Sequence, residues 1–380
     1  MNDQILNDQI CGALRELPLV DHHVHSVLRN PQERSAFEQL LTESSEPIPE
    51  WMTQFDSQIG FAVRSHCAPI LGLERNASAE EYSAQRGLLS PVELSRLFLA
   101  ASRVQHSLID TGTVGGTDFA NELVSLNEFS ELSGQRVSEI VRLETIGEEL
   151  FTADPDPLSF YDRFESAVNQ ARLTAVGFKS IIAYRYGFKF EIAKPSRHEV
   201  ELAVASWRSS RMSDPVLLRF ALWTGVETGL PVQLHAGFGD NDLTLHDANP
   251  VLLTDWLRTL PSASSDIVLL HCYPYHREAG YLAQVFNKVY FDVGLAVNFT
   301  GARSRSVVAE SLELAPFSKI LFSTDAWGLP ELHFLGSTLW RGAMTRLLTD
   351  FVRDGEWSQS DAIRVAHMIG HENATRLYSL

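Results

Sequence analysis

Cysteine is scarce in this chain. Its three copies, Cys11, Cys67 and Cys272, share no Cys-x-x-Cys spacing and cannot all pair with one another. That excludes a disulfide framework and points to a reducing compartment. Apolar runs long enough to cross a bilayer are missing as well, so no membrane partner is expected. Basic residues are outnumbered: 31 Lys and Arg against 48 Asp and Glu give a net charge of −17. A surface of that sign repels a phosphate backbone and excludes nucleic acid as the natural partner, while a small anion held by a few local arginines remains compatible with it. The opening MNDQILNDQICGALREL is polar and acidic, with Ile5, Ile10 and Leu14 at helical spacing, unlike the basic-then-apolar order of a secretion signal. A soluble, cytoplasmic protein is expected. No repeat, charge block or Pro/Gly/Ser-rich linker divides the chain, so residues 1–380 read as one domain.

What the chain does contain is a repeated beat of short apolar strand, turn and amphipathic helix. The first strand lies in LPLVDHHVH, Leu17 to His25, an apolar start that ends in a cluster of histidines. Residues 26–104 lack strand patterning and read as a helical insertion over the strand ends, with Ser90 and Pro91 as cap and first-turn residue of one helix. Seven further strands are expected over 107–112, 140–146, 176–183, 231–237, 266–272, 289–295 and 319–326. A helix is expected over 117–126, overlapping a glycine-containing turn at 112–118. Eight strand-helix units predict an α/β fold, a (β/α)8 TIM barrel with the insertion after strand one and a C-terminal helical tail over 357–380. A doubly wound open sheet is the second choice.

The strand endings carry the chemistry. Strand one ends in His23 and His25, which alternation puts on one face. Strand four carries Lys179, strand five ends at His235, strand six at His271 and strand eight at Asp325. A lone histidine at a strand end is more often hydrogen-bonded scaffolding than a metal ligand. Five strands ending in this way favour convergence on a metal at the barrel mouth. Arg142 and Glu144 share a face of strand three and are expected to point into the barrel, as a substrate-facing pair or a buried ion pair. Arg185, just past strand four, is the candidate for a substrate carboxylate through its planar fork. Arg64, in the insertion, could face a ligand or sit solvated at the surface. Asp240 and Asp242 read as holding their own loop. His246, His276, His333, His367 and His371 read as surface or structural residues.

With those residues in view, the pattern resembles the amidohydrolase superfamily: His-x-His on strand one, histidines on strands five and six, aspartate on strand eight. GFKSIIAYR, QLHAGFGDNDL, LLHCYPYHREAGYLA, VYFDVGLA and LFSTDAWGLPELHFLGS are similar, more narrowly, to the amidohydrolase-type part of FluG and of nodulin/glutamine synthetase fusions. The resemblance implies that His23, His25, His235 and Asp325 hold a divalent metal, zinc by preference and manganese otherwise. It makes His271 a further ligand or an acid/base. It makes Lys179 either a carbamate bridging two ions or, with one ion, a paired lysine lining the pocket. The implied activity is hydrolysis of an amide or other C–N bond in a small-molecule substrate, with Asp325 taking the proton of the attacking water and His271 assisting. The alternatives are a metal-dependent decarboxylase of a small carboxylic acid, an isomerase of uronic acids, and a non-catalytic metal-binding regulator. Assembly into a homo-oligomer is compatible with all of them.

Overall fold

The computed structural model describes residues 3–112 and 122–380, with side chains from Leu6 onward. The turn expected over 112–118 and the helix over 117–126 fall outside the described residues, save for their ends. Seven strands form one parallel sheet in sequence order: β1 Leu19–Val24, β2 Val104–Asp110, β3 Arg136–Arg142, β4 Gly177–Ser180, β5 Val232–Ala236, β6 Ile267–His271 and β7 Val289–Phe291. Parallel neighbours require crossovers, and helices supply them, for example Pro157–Ala171 between β3 and β4 and Pro215–Glu227 between β4 and β5.

The eighth strand expected over 319–326 is an extended segment without regular ladder pairing, and it joins the two sheet edges. Leu321 N–H bonds Phe291 on β7 at 3.0 Å, while His22 and His25 bond Phe322 and Ala326 at 3.2 and 2.9 Å. Asp21 shows why the segment departs from regularity. Its buried carboxylate accepts the Thr324 N–H and hydroxyl at 3.0 and 2.5 Å, a local pull that competes with a straight strand.

Alternation along the strands separates two cores. Leu19, Ile109 and Leu269 pack outward under the helices, whereas Val20, Leu108, Val268 and Leu270 pack inward with Leu321. The inner cluster is closed by Leu377 and Tyr378, so the end of the chain plugs the sheet's interior. Between β1 and β2 the chain is helical, including Arg34–Gln39, Ala79–Arg86 and Pro91–Ser102. The last of these starts as expected: Ser90 caps Glu93, whose side chain returns to the Ser90 N–H, and Pro91 occupies the first turn.

β3 lies earlier than expected, and a helix, Leu143–Ala153, occupies most of the residues read as strand three. The alternation in IVRLETI was ambiguous, since Leu143 and Gly147 also fall one helical turn apart and both are buried on the packed face.

Candidate metal centre

β1 delivers two adjacent histidines to the interior because its pairing with β2 shifts register between Asp21 and Val24, which breaks strict alternation. His22 bonds Asp292 at 3.0 Å and Tyr378 at 3.2 Å. His23 bonds Gln233, two residues before His235 on β5, at 2.8 Å. The Gln233 amide nitrogen donates to the His22 carbonyl, which can only accept, so its oxygen faces His23. His23 therefore carries its proton on Nδ1 and leaves Nε2 bare. His25 Nδ1 faces the Asp110 carbonyl at 3.3 Å and is likewise the protonated nitrogen.

Both free Nε2 atoms point at Asp325, whose Oδ1 lies 3.1 Å from His23 and 3.7 Å from His25. One donor atom from each of His23, His25 and Asp325 falls within 4.8 Å of the others. His271 brings Nδ1 to 3.3 Å from Asp325 Oδ2. His235 packs at a tilt against His271, ring centres 4.7 Å apart, and against Tyr184 at 4.3 Å. Lys179 Nζ donates to His23 Nε2 at 3.0 Å and lies 3.7 Å from Asp110. His23, His25, Lys179, His235 and His271, all buried, are thus gathered in one cluster with the half-buried Asp325.

His271 and Asp325 both have left-handed backbones, with φ of 66° and 49°, conformations that side chains with a Cβ seldom adopt. Asp292, at the end of β7, offsets that cost by accepting the His271 N–H at 3.0 Å, the Gly294 N–H at 2.7 Å and the Ser323 hydroxyl at 2.9 Å.

Electrostatics follow from burial. Desolvation pushes Asp325 up to about 6, against the pull of His25 and Lys179. Burial lowers His25 to about 3 and holds His23, His235 and His271 well below 6.5. The Lys179 ammonium is also pushed down by burial, with Asp110 and Asp325 opposing.

Other expectations are corrected. Arg142 and Glu144 do not share a strand face, because β3 ends at Arg142 and Glu144 sits in the first turn of the following helix. The Arg142 guanidinium bonds Asp110 at 2.6 Å, and Glu144 accepts the Ser180 hydroxyl and Ile181 N–H at 2.6 and 2.9 Å. They clamp β2, β3 and β4 to one another. Arg64 is turned to the insertion itself, donating to the Ala77 and Asn76 carbonyls at 2.7 and 3.3 Å. Arg185 ends the one-turn helix Ile182–Arg185, 3.8 Å from Glu148, with its Nε unpartnered.

Residues the sequence reading did not single out complete the surroundings. Gln233 was legible in principle, lying in phase with His235. Asp110 and Asp292 end β2 and β7 as the histidines end theirs. Tyr378 and the half-buried Glu43, which burial together with Asp325 and Asp240 pushes up to about 8, come from remote segments with no local signal.

Comparison with known proteins places the chain in a family. An amidohydrolase family model matches residues 150–380. Protein fluG of Emericella nidulans is 33% identical over 246 residues, 58% of this chain; the match covers only 28% of that protein's length. Among solved structures, a "putative metal-dependent hydrolase" of Lactobacillus casei is 27% identical, covers 97% of each chain and superposes with a TM-score of 0.84. The uronate isomerase of Thermotoga maritima, 14% identical with a TM-score of 0.62 over 98% of this chain and 97% of its own, shares the fold. With more than half of its length matched, this chain belongs to the amidohydrolase family.

Proposed function

We propose that the protein is a metal-dependent hydrolase that cleaves an amide or other C–N bond of a small substrate. The observation that carries this reading is the meeting of two histidine Nε2 atoms, held bare by fixed tautomers, with one carboxylate. The residues fit a divalent cation: Asp325 Oδ1, His235 Nε2 and both ring nitrogens of His271 are buried without hydrogen-bond partners, a cost of roughly 1–3 kcal/mol each unless something binds them. His23, His25, His235 and Asp325 would hold the ion, and nitrogen and carboxylate donors suit zinc first and manganese second. When bound, such an ion acidifies water and polarises a carbonyl.

The chain's own residues then divide the work. Asp325, raised towards neutrality, takes the proton of the attacking water on a carboxylate oxygen and passes it to the departing nitrogen. His271, 3.3 Å from that carboxylate, stands beside the developing oxyanion. Lys179 as an amine donates to His23; as a carbamate it would offer two oxygens and admit a second ion. Arg185 is the proposed contact for a substrate carboxylate.

The test is Asp325→Asn together with metal analysis and a panel of small amides assayed with and without chelator. Hydrolysis abolished by chelator and reduced by roughly 100-fold or more in the variant is expected. Hydrolysis at the parental rate by a metal-loaded variant would overturn the assignment, and carbon dioxide release without consumption of water would replace it with decarboxylation.

A further inference from the structure

A cavity of about 390 Å³ lies between the insertion and the loop after β5. Among the described residues its charged lining is Glu43 from the insertion and Asp240 from the loop; Leu41, Ile59, Phe238 and Phe299 give it apolar walls. The two phenylalanine rings meet edge to face, 5.3 Å apart. Among the described residues no cation forms an ion pair with either carboxyl: Arg211 pairs with Asp242 at 3.1 Å and Arg185 lies 3.8 Å from Glu148, and both act on Asp240 only from a distance. Asp240 spends one oxygen on the Asp242 N–H at 2.9 Å and keeps the other.

Gly239 separates this cavity from the candidate metal centre. A Cβ there would stand 2.9 Å from His235 Nε2 and 2.0 Å from Tyr184 Oη, so only a residue without a side chain lets the loop lie against both. His235 is 3% exposed, and that same Nε2 has no hydrogen-bond partner. A buried, unpartnered nitrogen therefore faces the glycine wall of the acidic cavity, which links the cavity to the site.

We propose that this cavity is the substrate's specificity pocket and that it takes a cationic end, an ammonium or guanidinium on a short apolar stem, between Glu43 and Asp240. This rests on the hydrolase reading and narrows its substrates to amides of basic, amine-bearing molecules. The chemistry follows from the lining. Two carboxyls brought together resist ionising at the same time and are relieved by one positive group, while the phenylalanine walls bury the stem. A carboxylate entering the same space would meet only acidic groups.

The test uses binding and needs no turnover. Metal-loaded protein is titrated with n-butylammonium, 1-butanol and butyrate, ligands of equal stem length, by calorimetry, alongside Glu43→Gln and Asp240→Asn. Butylammonium binding at least tenfold tighter than butanol, and weakened tenfold or more in each variant, is expected. Equal affinity for butylammonium and butanol, or butylammonium binding unmoved in both variants, overturns the pocket assignment. Melting curves of the variants guard against misfolding, and the two substitutions lie on separate segments, so each tests the pocket independently. Failure here with hydrolysis of neutral amides intact would remove the pocket alone; cation binding with no hydrolysis of any amide would remove the hydrolase reading and leave the pocket.

Discussion

Gln233 shows how much of a metal centre rests on residues that touch no metal. Its amide is oriented from one side by the His22 carbonyl and the Tyr378 hydroxyl, and on the other it fixes the His23 tautomer. Replacing it with leucine would free the His23 ring to protonate at Nε2 and would strand buried polar atoms on His22 and Tyr378. Gln233→Leu is expected to bind metal about 10–100-fold more weakly, measured by competition with a chromogenic chelator, while Gln233→Glu, which keeps the acceptor for Nδ1, stays nearer the parent. Unchanged affinity in the leucine variant would show that His23 does not depend on this bond. Residues of this kind were partly legible: a position two before His235 on an inward-facing strand is in phase with it, whereas the pairing of Arg142 with Asp110 was not, because it joins strands whose register the sequence does not print.

At the scale of elements, β5 and β6 were readable nearly to the residue, since each is a short, mostly apolar run with a histidine at or next to its last residue. Strand three was not, because its alternating run also satisfies a helix, and the eighth segment was legible as apolar but not in its irregular pairing, which Asp21 imposes from the far end of the chain. Least visible was the C-terminal plug. Asn373 donates to the Phe317 and Ile320 carbonyls at 2.8 Å each, tying down the start of the eighth segment, and Leu377 and Tyr378 fill the inner cluster. Burying two such side chains stabilises by roughly 1.5–3 kcal/mol each, a large share of the roughly 5–15 kcal/mol a domain commands. Deleting residues 373–380 is therefore expected to leave a chain that is insoluble or melts far below the parent. Tyr378→Phe should cost about 1–3 kcal/mol in chemical denaturation, through the bonds it strands on Gln233 and His22. A truncated chain melting within a few degrees of the parent would contradict the plug's role.

The whole molecule carries an unusual proton balance, and its sign can be worked out for the metal-free chain. Burial keeps histidines neutral: His25 and His333 are lowered to about 3, His23, His235 and His271 lie well below 6.5, and His66, His106 and His371 are lowered as well. As pH falls through 6.5 the unfolded chain takes up their protons and the fold does not, so stability is lost. Carboxyls act the other way: Asp21 and Glu43 are pushed up to about 8 and Asp325 to about 6, chiefly by burial, and Glu144, Asp240 and Asp266 are raised by burial too, so the fold holds protons that the unfolded chain releases until pH falls to about 4. Above about pH 7 the carboxyls win and stability declines with rising pH. Near pH 5 the lowered histidines outnumber the raised carboxyls, and each surplus proton on the unfolded side is worth about 1.4 kcal/mol per pH unit. Chelator-treated protein should thus be most stable between about pH 6 and 7, and weaker at pH 5 in urea unfolding. His333, packed on Phe129 with ring centres 5.5 Å apart, accounts for about 2 kcal/mol of the change from pH 7 to 5. His333→Gln should flatten the acid limb by that amount, and an acid limb of undiminished steepness would mean that His333 is not held neutral in the fold.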